Sequence, residues 1–228
     1  MSADRFALVI FDCDGVLVDS ELITNRIFAQ MLNELGIPVT LADMLETYVG
    51  RSMRQCIETI ERQLGRSVPE DFLDRYHART TAALRAELRA VAGVEAALSA
   101  IKIPYCVASS GSREKMHTTL GMTGLMPRFR GKLFSVEDVA QGKPAPDIFL
   151  YAARSFGVVP QACAVIEDSP AGVAGAVAAG MRVYGYCAST PAALLLAAGA
   201  HCTFDRMSRL PGLLSAAAEL LAPQPGAR

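Results

Sequence analysis

No run of this sequence is apolar for long enough to cross a bilayer. The longest, such as Ala192–Ala200, fall well short of the ~20 residues a spanning helix needs. Cysteine pairs at C-x-x-C spacing are absent, and the three histidines, His77, His117 and His201, are scattered. Both absences argue against zinc, whose ligands recur at short characteristic spacings. Positive charge is not in excess either: 22 Lys plus Arg face 23 Asp plus Glu, for a formal net charge of −1. With no basic surplus to neutralise phosphates, neither nucleic acid nor a membrane surface is an expected partner. The residues before Asp12 show no basic flank, apolar block and small-residue cleavage site. A soluble, cytoplasmic protein is the expectation, with Cys13, Cys56, Cys106, Cys163, Cys187 and Cys202 reduced and structural.

What the 228 residues do hold is apolar material, 51% hydrophobic against 20% charged, which is ample for a core and excludes a disordered chain. Short runs rich in Val, Ile, Phe and Tyr recur at Ala7–Phe11, Tyr105–Ala108, Lys132–Phe134, Ala164–Ile166, Arg182–Tyr186 and, weakly, Cys202–Phe204. Most are continuous rather than alternating, as strands covered on both faces require. Helical patterns lie between several of them: Ser112–Leu120, Asp147–Phe156 and Pro170–Ala179 each open on a start signal. Strand and helix in alternation predict an α/β core with a parallel sheet.

The stretch from Ser20 to about Arg89 breaks that rhythm, for it shows no convincing strand. Ser20 can cap a helix carrying Ile23, Ile27, Phe28, Met31, Leu32 and Leu35 at helical spacing, stopped by Gly36 and Pro38. A second pattern runs from Ser52 to Gly65 and a third from Asp71 to Leu88. A simple crossover needs far less. The spacing predicts a core domain of residues 1–18 and 90–228, with a helical domain, 19–89, inserted after the first strand. The Pro-Gly tail after Ala222 is expected to fray.

Chemistry concentrates where apolar runs end. Asp12-Cys13-Asp14-Gly15 follows the first strand, and Glu167-Asp168 follows another. In open parallel sheets ligands bind beyond the carboxyl ends of strands. One such turn alone reads as solvated aspartates. Two ending neighbouring strands ~4.8 Å apart would crowd negative charge, at a cost of about 4 kcal/mol for a pair 4 Å apart at an effective dielectric near 20. All-oxygen ligands without His or Cys suit Mg²⁺, which favours a few carboxylates, waters and substrate phosphate. Ser109, Ser110, Gly111 and Ser112 open a helix, where hydroxyls and free N–H groups bind phosphate. Lys143 stands out because the chain has only four lysines and otherwise uses arginine. A compact ammonium is the better point charge beside a small anion and an aspartate.

Together these residues resemble the haloacid dehalogenase superfamily. Asp12-x-Asp14-Gly15-Val16-x-x-Asp19-Ser20, Ser109, Lys143-Pro144-x-Pro146-Asp147 and Glu167-Asp168-Ser169-x-x-Gly172 match its four motifs in order and spacing. The branch that comes nearest holds β-phosphoglucomutase and small sugar-phosphate phosphatases such as 6-phosphogluconate phosphatase. The resemblance implies a Rossmann-like core with a small helical cap, acting on a small phosphorylated metabolite. It also implies that Asp12 is the nucleophile, forming an aspartyl phosphate, and Asp14 the general acid and base. Asp12, the Asp14 main-chain carbonyl and Asp168 would hold Mg²⁺, with Glu167 bound directly or through water. Ser109, Ser110 and Lys143 would bind the phosphoryl group, Lys143 also restraining Asp12.

Other readings fit less well. Haloacid dehalogenation needs neither Asp14 nor a metal. A phospho-receiver would carry its acidic pair differently and lack the insertion. A dinucleotide site would want G-x-G-x-x-G after the first strand, whereas Gly172, Gly175 and Gly180 are read as packing glycines. A non-catalytic phosphate-binding or regulatory protein would need the acidic cluster to be inert. The serious rival is the mutase. β-Phosphoglucomutase has a cap histidine where this chain has Thr24, and a cap arginine where it has Met53. Hydrolysis is therefore favoured. Thr24, Gly50, Arg51 and Ser52 of the cap, with Arg113 of the core, are the candidates for choosing the leaving group, and a monomer is expected by family analogy.

Overall fold

A computed structural model describes residues 6–40, 43–44, 47–48 and 53–219. Contacts divide the chain into two compact units, residues 1–18 with 90–228 and residues 19–89. In the first, β1 (Leu8–Phe11), β2 (Tyr105–Ser109), β3 (Leu133–Ser135), β4 (Cys163–Glu167), β5 (Arg182–Tyr186) and β6 (Cys202–Phe204) form one sheet in the order β3-β2-β1-β4-β5-β6. All five pairings are parallel. β1 sits centrally, with Ile10 opposite Cys106 on one side and Val165 on the other. The chain first builds outward to β3 and then returns to β4, so the strand order reverses beside β1. That crevice is where open α/β sheets take ligands.

The strands read as continuous apolar runs because both faces are covered. Leu8, Val9, Ile10 and Phe11 are all fully buried. One core gathers Leu8, Ile10, Cys106, Val165, Ile148, Phe149 and Val173 between strands and helices. Each such side chain contributes about 1.5–3 kcal/mol on burial. Two helices reach the carboxyl end of the sheet with serine caps. Ser112 accepts from Lys115 N–H at the start of a helix, Arg113–Met122, and Ser169 accepts from Gly172 N–H before another, Pro170–Ala178. Between them a third helix, Asp147–Ser155, packs Ile148 and Phe149 inward. The glycines read as packing residues divide in role. Gly175 lets its helix approach the main chain at Pro144 and Ala145, where a Cβ would stand 3.1 and 3.0 Å from their carbonyl oxygens. Gly180 instead adopts φ +76° just past the helix end, the left-handed stop a side chain disfavours.

The second unit is helical, and no strand occurs among its described residues. Among its described residues, in chain order, are α1 (Glu21–Glu34), α2 (Met53–Leu64) and α3 (Phe72–Glu87), with further helical residues at 43–44 and 47. In the first unit they are followed by α4 (Val94–Ala100), α5 (Arg113–Met122), α6 (Met126–Phe129), α7 (Asp147–Ser155), α8 (Pro170–Ala178), α9 (Ala192–Ala197) and α10 (Leu210–Glu219). Phe28 on α1 meets Tyr48, Phe72 and Tyr76 edge-on, with ring centres 5.7, 6.1 and 5.2 Å apart. Glu34 takes Arg79 at 2.6 Å and Arg75 at 3.3 Å, and Arg26 takes Glu87 at 2.7 Å, fastening α1 to α3. Ser20 stands at the start of α1 as predicted, yet its backbone is already helical and its side chain makes no cap hydrogen bond. The connecting segments run side by side, Val18 pairing antiparallel with Ala90 and Asp19 N–H donating to Arg89. Gly50, Arg51 and Ser52, and the tail after Ala222, lie outside the described residues.

Candidate active site

Asp12 continues β1 by one residue, its N–H bonded to the Ile166 carbonyl of β4 at 2.9 Å. Glu167 ends β4 and Asp168 follows it, so adjacent strand tips deliver all three carboxylates to one place. Their oxygens lie within 4.8 Å of one another, and all three residues are buried. One ammonium enters this cluster. Lys143 Nζ donates to Asp12 Oδ1 at 2.6 Å, Glu167 Oε1 at 2.5 Å and the Ala108 carbonyl at 2.9 Å. Three acceptors use its three N–H donors. Phe149, 5.1 Å from the ammonium, covers it, and the lysine side chain is only 4% exposed.

The electrostatics follow from that burial. Desolvation pushes the Asp12 carboxyl up from 3.8 to about 7, with Lys143 pulling it down and Glu167 pushing it further up. Burial opposes the charge on Lys143, but Asp12 and Glu167 outweigh it and hold the ammonium above the ordinary lysine range. Three carboxylates against one ammonium leave a surplus of two negative charges when all are ionised. A divalent cation on oxygen ligands balances that surplus, and the donor set fits one. The backbone supports the fit: at Gly15, φ +78°, a Cβ would run into the Asp168 carboxyl, so only glycine lets the Asp14–Gly15 main chain come so close.

Glu167 is fixed on both sides. Oε1 takes Lys143, while Oε2 accepts from Ser169 N–H at 3.1 Å and Ser169 Oγ at 2.9 Å. A Cβ at Gly172 would collide with the same carboxyl, so the first turn of α8 closes over it. Asp14 points elsewhere. Its Oδ2 receives Lys115 Nζ at 2.7 Å, from the first turn of α5. The thiol of Cys13, between the two aspartates, is buried and pushed well up by that burial, which makes it an inert packing group.

Ser109, fully buried at the tip of β2, accepts from Gly111 N–H at 3.0 Å, which shapes the loop into α5. Ser110 is exposed beside it. Arg113, a candidate for choosing the leaving group, has its guanidinium on both Asp138 oxygens at 2.7 and 2.8 Å and on the Leu133 carbonyl at 3.0 Å. Those bonds tie α5 to the end of β3. Thr24, in the helical unit, donates its hydroxyl to the Glu21 carbonyl of its own helix. Sequence reasoning missed Lys115 and the second use of Ser169. The scarcity of lysine that singled out Lys143 applied equally to Lys115.

A model of the haloacid dehalogenase-like hydrolases matches residues 6–180, the span that carries all these groups. The chain belongs to that family. It is 33% identical over 213 residues to the 6-phosphogluconate phosphatase of Escherichia coli (strain K12), covering 93% of this chain and 96% of that one. A haloacid dehalogenase-like protein of Agrobacterium tumefaciens str. C58 has the same fold, with TM-score 0.88, 36% identity and coverage of 93% of this chain and 99% of that one. A hydrolase of the family from Deinococcus radiodurans R1, solved with bound phosphate and sodium, superposes with TM-score 0.83 at 30% identity, over 96% of this chain and 99% of that chain. As a haloacid dehalogenase-like hydrolase, the chain is an enzyme. Among its described residues no helix is long and apolar enough to cross a membrane.

Proposed function

We propose that this hydrolase is a Mg²⁺-dependent phosphatase that cleaves the monoester of a small sugar or sugar-acid phosphate through an aspartyl phosphate on Asp12. One observation carries the reading: three buried carboxylates cluster at the sheet's switch point, with a single sealed ammonium paired to two of them, Asp12 and Glu167. The 6-phosphogluconate phosphatase relative supports a sugar-acid phosphate as the substrate class, and the phosphate-bound Deinococcus structure supports phosphate binding by this fold.

Asp12 and Asp168 would hold the metal with the main-chain carbonyl of Asp14. Glu167, both of whose oxygens already have protein partners, would act through water and by orienting Lys143. When bound, the ion neutralises phosphoryl oxygens and keeps Asp12 ionised. The Asp12 carboxylate attacks phosphorus in line with the leaving oxygen, forming an O–P bond as the ester O–P bond breaks. Asp14 gives its proton to the departing alkoxide. It then takes a proton from the water that attacks the aspartyl phosphate, which frees inorganic phosphate and restores Asp12. Ser109 and Lys143 would bind the transferring group, Lys143 by exchanging one of its present acceptors. The helical unit, through Thr24 and the Gly50–Ser52 segment, would choose the leaving group.

The test is phosphate release from a panel of monoesters with Mg²⁺, with β-glucose 1-phosphate included. Release from sugar or sugar-acid phosphates is the expected result. Conversion of β-glucose 1-phosphate to glucose 6-phosphate without release would instead make the enzyme a mutase.

A further inference from the structure

The site contains two lysines, and they serve different carboxylates. Lys143 is sealed against Asp12 and Glu167, whereas Lys115 is 40% exposed in its side chain and meets Asp14, itself 23% exposed. Lys115 is also held at its root. Its backbone N–H donates to the Ser112 cap at 3.2 Å, and the following turns of α5 seat Met116 and Leu120 in the core. The ammonium therefore starts from a fixed point. Around it, Ser109 Oγ, Lys115 Cδ and Asp14 Oδ2 converge on one small space: a Cβ added at Gly111 would stand 3.3, 3.4 and 3.7 Å from them.

We propose that Lys115 is a positioning residue for Asp14, anchoring Oδ2 so that the carboxyl is turned correctly when it passes a proton to the leaving oxygen. The inference rests on Asp14 being the general acid of the phosphatase reading. A carboxyl's terminal torsion is soft, with broad two-fold wells, so each contact that holds Asp14 narrows the freedom of its orientation. An ammonium at 2.7 Å removes that freedom. Restricting the acid in this way pays off in rate only where the leaving group needs its proton.

That restriction gives the test. Alkyl esters depart as poor leaving groups and depend on the acid, whereas p-nitrophenyl phosphate releases a stable anion and depends on it little. Values of kcat/KM, which cover steps up to formation of the aspartyl phosphate, are compared for 6-phosphogluconate, sorbitol 6-phosphate and p-nitrophenyl phosphate, with Mg²⁺. Lys115→Met is expected to lower both alkyl values by about 10²-fold and the aryl value by about tenfold less. Lys115→Arg, which restores a cation in altered geometry, is expected to recover part of the alkyl loss. Lys115→Gln takes the place of Lys115→Met if that variant does not fold.

Equal losses on all three esters would show a structural role and overturn the inference. So would a loss confined to 6-phosphogluconate, which would make Lys115 a reader of the substrate carboxylate. A gain on the alkyl esters would mean that Lys115 restrains Asp14 unproductively, and would overturn it too. Failure of the parent enzyme to cleave any of the three would remove the phosphatase reading, and this inference with it.

Discussion

As the proposed nucleophile, Asp12 has to be buried and ionised together, and burial alone works against the second of these. Without metal, its carboxyl stays protonated in the folded protein up to about pH 7, whereas its ordinary value is 3.8. A carboxyl raised in this way stabilises the fold fully below the unfolded value, and that contribution is lost as pH rises through about 7. Asp12→Asn removes the titration. In EDTA, the melting temperature of the variant relative to the parent should therefore be several degrees higher at pH 8 than at pH 5. The same variant should lose at least about 10³-fold in kcat with Mg²⁺ present, as loss of a nucleophile does. Asp14→Asn separates two functions. Its metal contact is assigned to the main chain, so turnover should collapse while the Mg²⁺-induced rise in melting temperature persists. Loss of that rise would place the Asp14 side chain on the metal.

At the level of elements, β4 and α8 form one device. The strand ends on Glu167, and the helix cap Ser169 both starts α8 and holds the Glu167 carboxyl. Ser169→Ala should cost about 1 kcal/mol as a lost cap, measured by urea unfolding. It should also raise the Mg²⁺ concentration for half-maximal activity by about tenfold, the scale of a lost supporting bond at a metal site. In the helical unit, Arg79 hydrogen-bonds Glu34 and holds its carboxyl below the ordinary range. A lowered carboxyl contributes stability above its unfolded value, and the contribution is lost as pH falls through the folded one. Glu34→Gln should thus lower the melting temperature slightly at pH 7, by about 1–2 °C for an exposed pair, and that difference should fade as the pH falls through the lowered folded value. These elements were unequally visible in the sequence. Strands covered on both faces show as unbroken apolar runs, and α1 and α3 declare themselves by helical spacing. Short α4 and α9 were not marked: Val94–Ala100 and Ala192–Ala197 are too short for periodicity to separate them from loop or strand. Ser20 shows the limit of local signals, since a good capping residue was in place and the backbone did not use it.

Across the whole molecule, the parallel order β3-β2-β1-β4-β5-β6 explains why residues 12, 143 and 167 share one charge balance. The carboxylates could be read as neighbours because each ends an apolar run, and parallel strands aim their ends the same way. The pairing of Lys115 with Asp14 could not, because it spans 101 residues and depends on where α5 docks. Mg²⁺ that binds only the folded protein should raise its stability, by about 2.7 kcal/mol at a hundred times the dissociation constant, and EDTA should abolish both that gain and turnover. The most direct test is a single turnover with enzyme in excess, quenched in acid and reduced with borohydride before peptide mass analysis. Homoserine in place of aspartate at position 12, formed only with substrate and Mg²⁺, is the predicted result. Quenches taken throughout the turnover that show substrate consumed while the residue 12 peptide is never reduced, or that show the reduced residue at another carboxylate, would contradict the account.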